Sequence, residues 1–182
     1  MQVMTRCIAA AMILRCFLLC LPLLAEQPLF DNTALLQKAA APILPAVGWK
    51  NLGEGLGFYG SGQMTLPPTG FVESTLTYSI SGNSRTHVEK VLFSVFIASP
   101  TDLIKGRQLL EQAYTQWAKT VNLPVPTGLG AAINTGKAYK GAAASGAVID
   151  YVLARCPSSP GIKQPDGSLY RCTTMDLTIK PR

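Results

Sequence analysis

AVIDYVLARC, residues 147–156, and CTTMDLTI, residues 172–179, are the two stretches on which the fold turns. Both read as β-strands, the first over Ala147 to Arg155 and the second over Leu169 to Ile179. Set antiparallel with Cys156 opposite Cys172, Leu153 faces Met175, Tyr151 faces Leu177 and Ile149 faces Ile179. Every pair on that side is apolar. The other side pairs Ala154 with Thr174, Val152 with Asp176 and Asp150 with Thr178, and is largely polar. Side chains alternate between the faces of a strand, so a slip of one residue would mix the two sets. A Cys156–Cys172 disulfide and the hydrophobic pattern therefore choose the same register. The bridge is expected on the polar face, at the open end of the hairpin.

Upstream, Phe71 to Ile80 alternates, with Val72, Leu76, Tyr78 and Ile80 on one face and Glu73, Thr75, Thr77 and Ser79 on the other. Ser81 to Ser84 is a turn, and Glu89 to Ile97 returns with Val91, Phe93, Val95 and Ile97 on one side. Ser99, Pro100 and Asp102 then open a helix: a cap, a first-turn proline and an acid on the positive end of the dipole. Leu103, Leu110, Ala113, Tyr114, Trp117 and Val121 mark one face of it at three- and four-residue steps. A second, looser helix is expected near Gly130 to Tyr139, weakened by its glycines.

A short helix, Thr33 to Ala41, is expected behind an Asp31 or Asn32 cap and before Pro42 and Pro45. Trp49 to Gly62 is glycine-rich. Trp49 to Glu54 makes no convincing strand; Leu56 and Phe58 share a face of a bulged one, Gly60 to Gly62 could turn it, and Gln63 to Leu66 could return. These elements predict an α+β fold: an antiparallel sheet of about five strands, one long amphipathic helix on one face and a short N-terminal helix.

The first residues read as a signal peptide. Arg6 and Arg15 are the charges of residues 1–25, the run from Cys16 to Leu24 is apolar, and small Ala25 precedes Glu26. Cleavage after Ala25 leaves one domain, residues 26–182, in the periplasm or outside the cell. An uncleaved anchor competes, but Arg15 interrupts the run of about 18 apolar residues a span requires. Of five cysteines, Cys7, Cys16 and Cys20 leave with the signal, so the remaining two pair in an oxidising compartment.

The chain of 182 residues is 48% hydrophobic and 14% charged, which excludes a disordered protein. Its net charge of +6 falls to +4 without the signal, which carries two basic residues and no acid. The charges are scattered, so a nucleic-acid partner is not expected.

Catalytic patterns are scarce. Residues 55–60 match GxGxxG, yet no strand is expected before them and no helix after. Gly130 to Lys137 has five residues between its glycines where a phosphate loop has four, and Ala138 stands where Ser or Thr would hold magnesium. His87 is the single histidine, beside a turn, and there is no GxSxG elbow. No metal site and no small-molecule cofactor is expected. Asp150 and Asp176 are the best carboxylate pair, with Glu54 a further candidate, and they would serve a small envelope hydrolase. The favoured reading is a non-enzymatic exported binding, adaptor or inhibitor protein. It would meet another protein or an envelope surface through Trp49, Phe58, Tyr59 and Tyr139, aromatics set among glycines.

Overall fold

The structure, a computed structural model, describes residues 28–67, 72–143, 145–156 and 161–182. The expected signal peptide and Phe71 lie outside these residues. Three α-helices are described, α1 (Thr33–Ala40), α2 (Leu103–Thr120) and α3 (Leu129–Thr135). The main sheet contains β1 (Ala46–Gly53), β2 (Leu56–Ser61), β3 (Met64–Thr65), β4 (Thr75–Gly82), β5 (Lys90–Ile97), β6 (Tyr139–Ala142), β7 (Ala147–Arg155) and β10 (Thr173–Pro181). A separate ribbon joins β8 (Ile162–Lys163) to β9 (Leu169–Tyr170).

The fold is α+β with an antiparallel sheet, as the sequence predicts, but the sheet has eight strands and not about five. Its order is β1-β2-β4-β5-β10-β7-β6, with β3 also on β4. The register of β7 on β10 is the one read from the sequence: Leu153 faces Met175, Tyr151 faces Leu177 and Ile149 faces Ile179. Cys156 and Cys172 are paired with their Cα atoms 5.4 Å apart, at the end of that ladder. Cys172 is buried, so the bridge is more enclosed than a polar sheet face implies.

One face of the sheet carries Leu76, Tyr78, Ile80, Val91, Phe93, Val95, Ile97, Tyr151, Met175 and Leu177, all essentially inaccessible. The helices cover this face. Trp117 on α2 meets the Phe93 ring edge-on at 5.8 Å, and Tyr78 donates its hydroxyl to the Leu36 carbonyl of α1 at 2.9 Å. Gly106 lets α2 come down close, because a Cβ there would run into Ile97 and Met175. The opposite face bears half-exposed Thr77, Ser79, Ser94, Thr174 and Thr178.

Several local expectations change. Of the two expected caps of α1 it is Asn32 that serves, accepting from the Leu35 N–H at 3.0 Å. The strand expected to begin at Phe71 begins at Thr75 and runs through the expected turn to Gly82, and Val72 is exposed. The looser helix ends at Thr135, because Gly136 takes a left-handed φ of 72°, and Tyr139 lies on a strand instead. The strand expected from Leu169 is split, since Leu169 and Tyr170 pair with β8 and the core strand begins at Thr173. Trp49 to Glu54, doubted as a strand, forms most of β1 and its turn. The segment after Gly60 makes no reversal: β2 and β3 run on along the same partner, β4, with the Ser61 hydroxyl accepting from the Tyr78 N–H at the break.

At the start of α2, Ser99 makes no side-chain cap. Asp102 is 1% exposed and accepts from the Ser74 hydroxyl at 2.6 Å, while Ser74 in turn accepts from the Ala98 N–H at 2.9 Å. Ser74→Ala removes a donor from a buried carboxylate and an acceptor from a buried amide. The expected cost is about 2 kcal/mol, a fall in Tm of roughly 4–8 °C in a thermal unfolding scan.

Candidate functional site

The four aromatics singled out by sequence do not converge. Trp49 and Tyr59 are cross-strand partners on the helix-covered side of β1 and β2, with ring centroids 5.0 Å apart. Phe58 lies on the opposite face, with the Lys50 ammonium 5.8 Å from its ring centre. Tyr139 sits on β6, five inter-strand steps from β2 and so roughly 24 Å away. Three of the four cover glycine backbone. The Trp49 indole lies over Gly57, the Phe58 ring over Gly60 and the Tyr139 ring over Gly141. An aromatic laid across a strand glycine restores the packing that the missing side chain forfeits. This explains the alternation of aromatics and glycines without a ligand.

Of the carboxylates, Asp150 and Asp176 are diagonal neighbours on the paired strands β7 and β10, and Glu54 is remote from both. Asp150 and Asp176 are both on the outer sheet face, as the register required. Asp176 accepts from the Ser94 hydroxyl at 2.5 Å, and Asp150 stands opposite Lys140 of β6. Glu54 lies in the Gly53–Gly55 turn of the β1–β2 hairpin, with a left-handed φ of 51°. The GxGxxG stretch is this same turn and β2, so its glycines serve a hairpin. His87 is half-exposed, with Nδ1 2.6 Å from the Asp31 carboxylate. The contact ties the β4–β5 connection to the segment before α1.

A concave site exists elsewhere. A cleft of about 540 Å³ opens between the start of α2, the adjoining ends of β7 and β10, and the β8–β9 ribbon. Arg107, Arg155 and Arg171 line it, with Tyr170, Leu103 and Leu153 among the other walls. Its volume falls within the roughly 300–1,000 Å³ of small-molecule sites. The register positions two of the arginines. Arg155 and Arg171 each precede a bridged cysteine, so pairing Cys156 with Cys172 brings both to one end of the sheet. On β7, alternation places Arg155 with Tyr151 and Leu153 on the helix-covered face, and Arg171 lies just ahead of β10.

Arg107 comes from α2 and donates to the Asn134 carbonyl of α3 at 2.8 Å. Burial pushes the Tyr151 phenol above its ordinary value, and the Arg107 guanidinium opposes that rise, so its charge lies beside this core tyrosine. Gln164, buried, donates to the Ala98 carbonyl at 3.1 Å and holds the ribbon against the body. The ribbon's turn is closed by Asp166, whose carboxyl is held below its ordinary value by the Ser168 hydroxyl and N–H. Tyr170 shares a hydrogen bond with Thr173 at 2.9 Å, fixing the ring at the cleft edge.

Sequence reasoning missed these residues. The repeated Arg-Cys pair was the available signal, since any disulfide between those cysteines must gather the arginines. Among the described residues there is no group of three His, Cys, Asp or Glu side chains arranged to hold a metal, and no helix long and apolar enough to cross a membrane. The chain matches no protein-family model, no curated protein and no solved structure.

Proposed function

We propose that this is an exported, non-enzymatic binding protein of the periplasm or cell exterior, acting as an adaptor or inhibitor on another protein or an envelope surface. The observation that carries the reading is the fate of the carboxylates. Asp150 and Asp176 stand on an open sheet face, Asp176 bonded to Ser94 and Asp150 opposite Lys140, and neither lines the arginine cleft. An acid–base pair needs a substrate held between its members in a site that limits water. The paired cysteines fit an oxidising compartment. The residues before Glu26 have the charged, apolar and small-residue order of a cleaved signal.

The test is expression from the natural start, with intact-mass measurement of the envelope and medium fractions and turnover assays on ester, glycoside and peptide substrates. The expected result is an oxidised species beginning at Glu26 and no turnover. Material confined to the cytosol, or hydrolysis abolished by Asp150→Asn or Asp176→Asn, would overturn the reading.

A further inference from the structure

We propose that the cleft of Arg107, Arg155 and Arg171 binds a small organic anion: an oxyanion group joined to an apolar body. This rests on the reading of the domain as a binding protein and names what one of its sites takes.

Three arginines line one cleft. Among the described residues no carboxylate pairs with any of them, and the ion pair that is described, His87 with Asp31, lies elsewhere. Holding like charges together in a concavity is unfavourable for the empty protein and is relieved by an anion. Guanidinium is suited to that anion, because its planar fork donates two parallel hydrogen bonds to carboxylate or phosphate oxygens. Pro100 and Leu103, at the amino end of the 18-residue helix α2, also border the cleft.

The remaining walls select the rest of the ligand. Leu103, Leu153 and Leu169 line the same space, and Leu169 is 70% exposed. A bare inorganic ion would leave these apolar surfaces wet, whereas an aryl or alkyl group attached to the oxyanion would cover them. The frame is also held in advance. Arg155 lies on the β7–β10 ladder beside the disulfide, Arg107 is tethered to Asn134, and the ribbon is tethered through Gln164. Preorganised donors lose less conformational freedom on binding.

Calorimetric titration of the purified, oxidised protein tests this independently of export and of any turnover assay. The probes are phenyl phosphate, benzoate, inorganic phosphate and neutral benzyl alcohol. Phenyl phosphate is expected to bind at least roughly tenfold more tightly than inorganic phosphate, and to weaken as salt is raised. Arg155 and Arg171 are exposed, so the Arg155→Gln/Arg171→Gln variant should keep the wild-type Tm and lose about tenfold or more in affinity. Lys119→Gln, in the last turn of α2, should change nothing. Benzoate binding in place of phenyl phosphate, lost in the same double variant, also supports the site and assigns a carboxylate ligand. Equal binding of benzyl alcohol, unchanged affinity in the folded double variant, or no binding of either anion overturns it.

Discussion

Cys156→Ser and Cys172→Ser are each expected to destabilise the protein by about 3 kcal/mol and to lower Tm by roughly 6–12 °C. The two positions are 16 apart in sequence, and their Cα separation of 5.4 Å sits inside the range a bridge spans without moving the backbone. The loss should come chiefly from freeing the unfolded chain. The double serine variant should therefore fall no further than either single one. Reductant should bring the wild type down to the variants and leave the variants unmoved. Thermal unfolding with and without reductant reads all four cases. Ready alkylation of both thiols in the native protein would remove the bridge from the account.

Trp117→Ala should cost about 4 kcal/mol. The side chain is fully buried, edge-on to Phe93 at 5.8 Å and 6.2 Å from the Tyr114 ring, where α2 crosses the middle of the sheet. No neighbour is free to fill the space, since Phe93 and Tyr78 already pack ring against ring at 4.9 Å. Denaturant titration should show a lower midpoint with an unchanged slope, the mark of lost stability without a change in compactness. The other tryptophan provides the contrast. Trp49→Ala removes a half-buried ring from an edge hairpin and should cost only about 1 kcal/mol. A Trp117 variant no less stable than the Trp49 variant would place the core elsewhere.

The centre of the sheet was legible because its strands obey strict alternation. Val91, Phe93, Val95 and Ile97 fill one side of β5, Met175, Leu177 and Ile179 do the same on β10, and two cysteines locked the register. The margins were not legible. Strand β1 has one face half-buried, register shifts after Ala46 and Asn51, and glycine at positions 48 and 53, so neither alternation nor propensity announces it. Strand β6 is four residues long and begins just after a helix-ending glycine. In both, Trp49 or Tyr139 folds over a glycine, a contact that looks in sequence like an exposed aromatic on a flexible loop. The cleft was hidden for another reason. Its arginines come from a helix, a strand and the link between β9 and β10, separated by up to 64 positions, and each alone reads as ordinary surface charge.

The position of β10 has a consequence for how the chain acquires its structure. Last of the described strands in chain order, it lies between β5 and β7 in the middle of the sheet. Before residues 173–181 arrive, the β4–β5 hairpin and the β6–β7 hairpin have no strand to join them, and Phe93 and Tyr151 belong to separate fragments. The core therefore closes late, through contacts distant along the chain, and such closure is slow. Under the export proposed above, β10 is the last of the described strands to cross the membrane. On that proposal the core of the described residues closes on the far side, where the cysteine next to β10 meets oxidant.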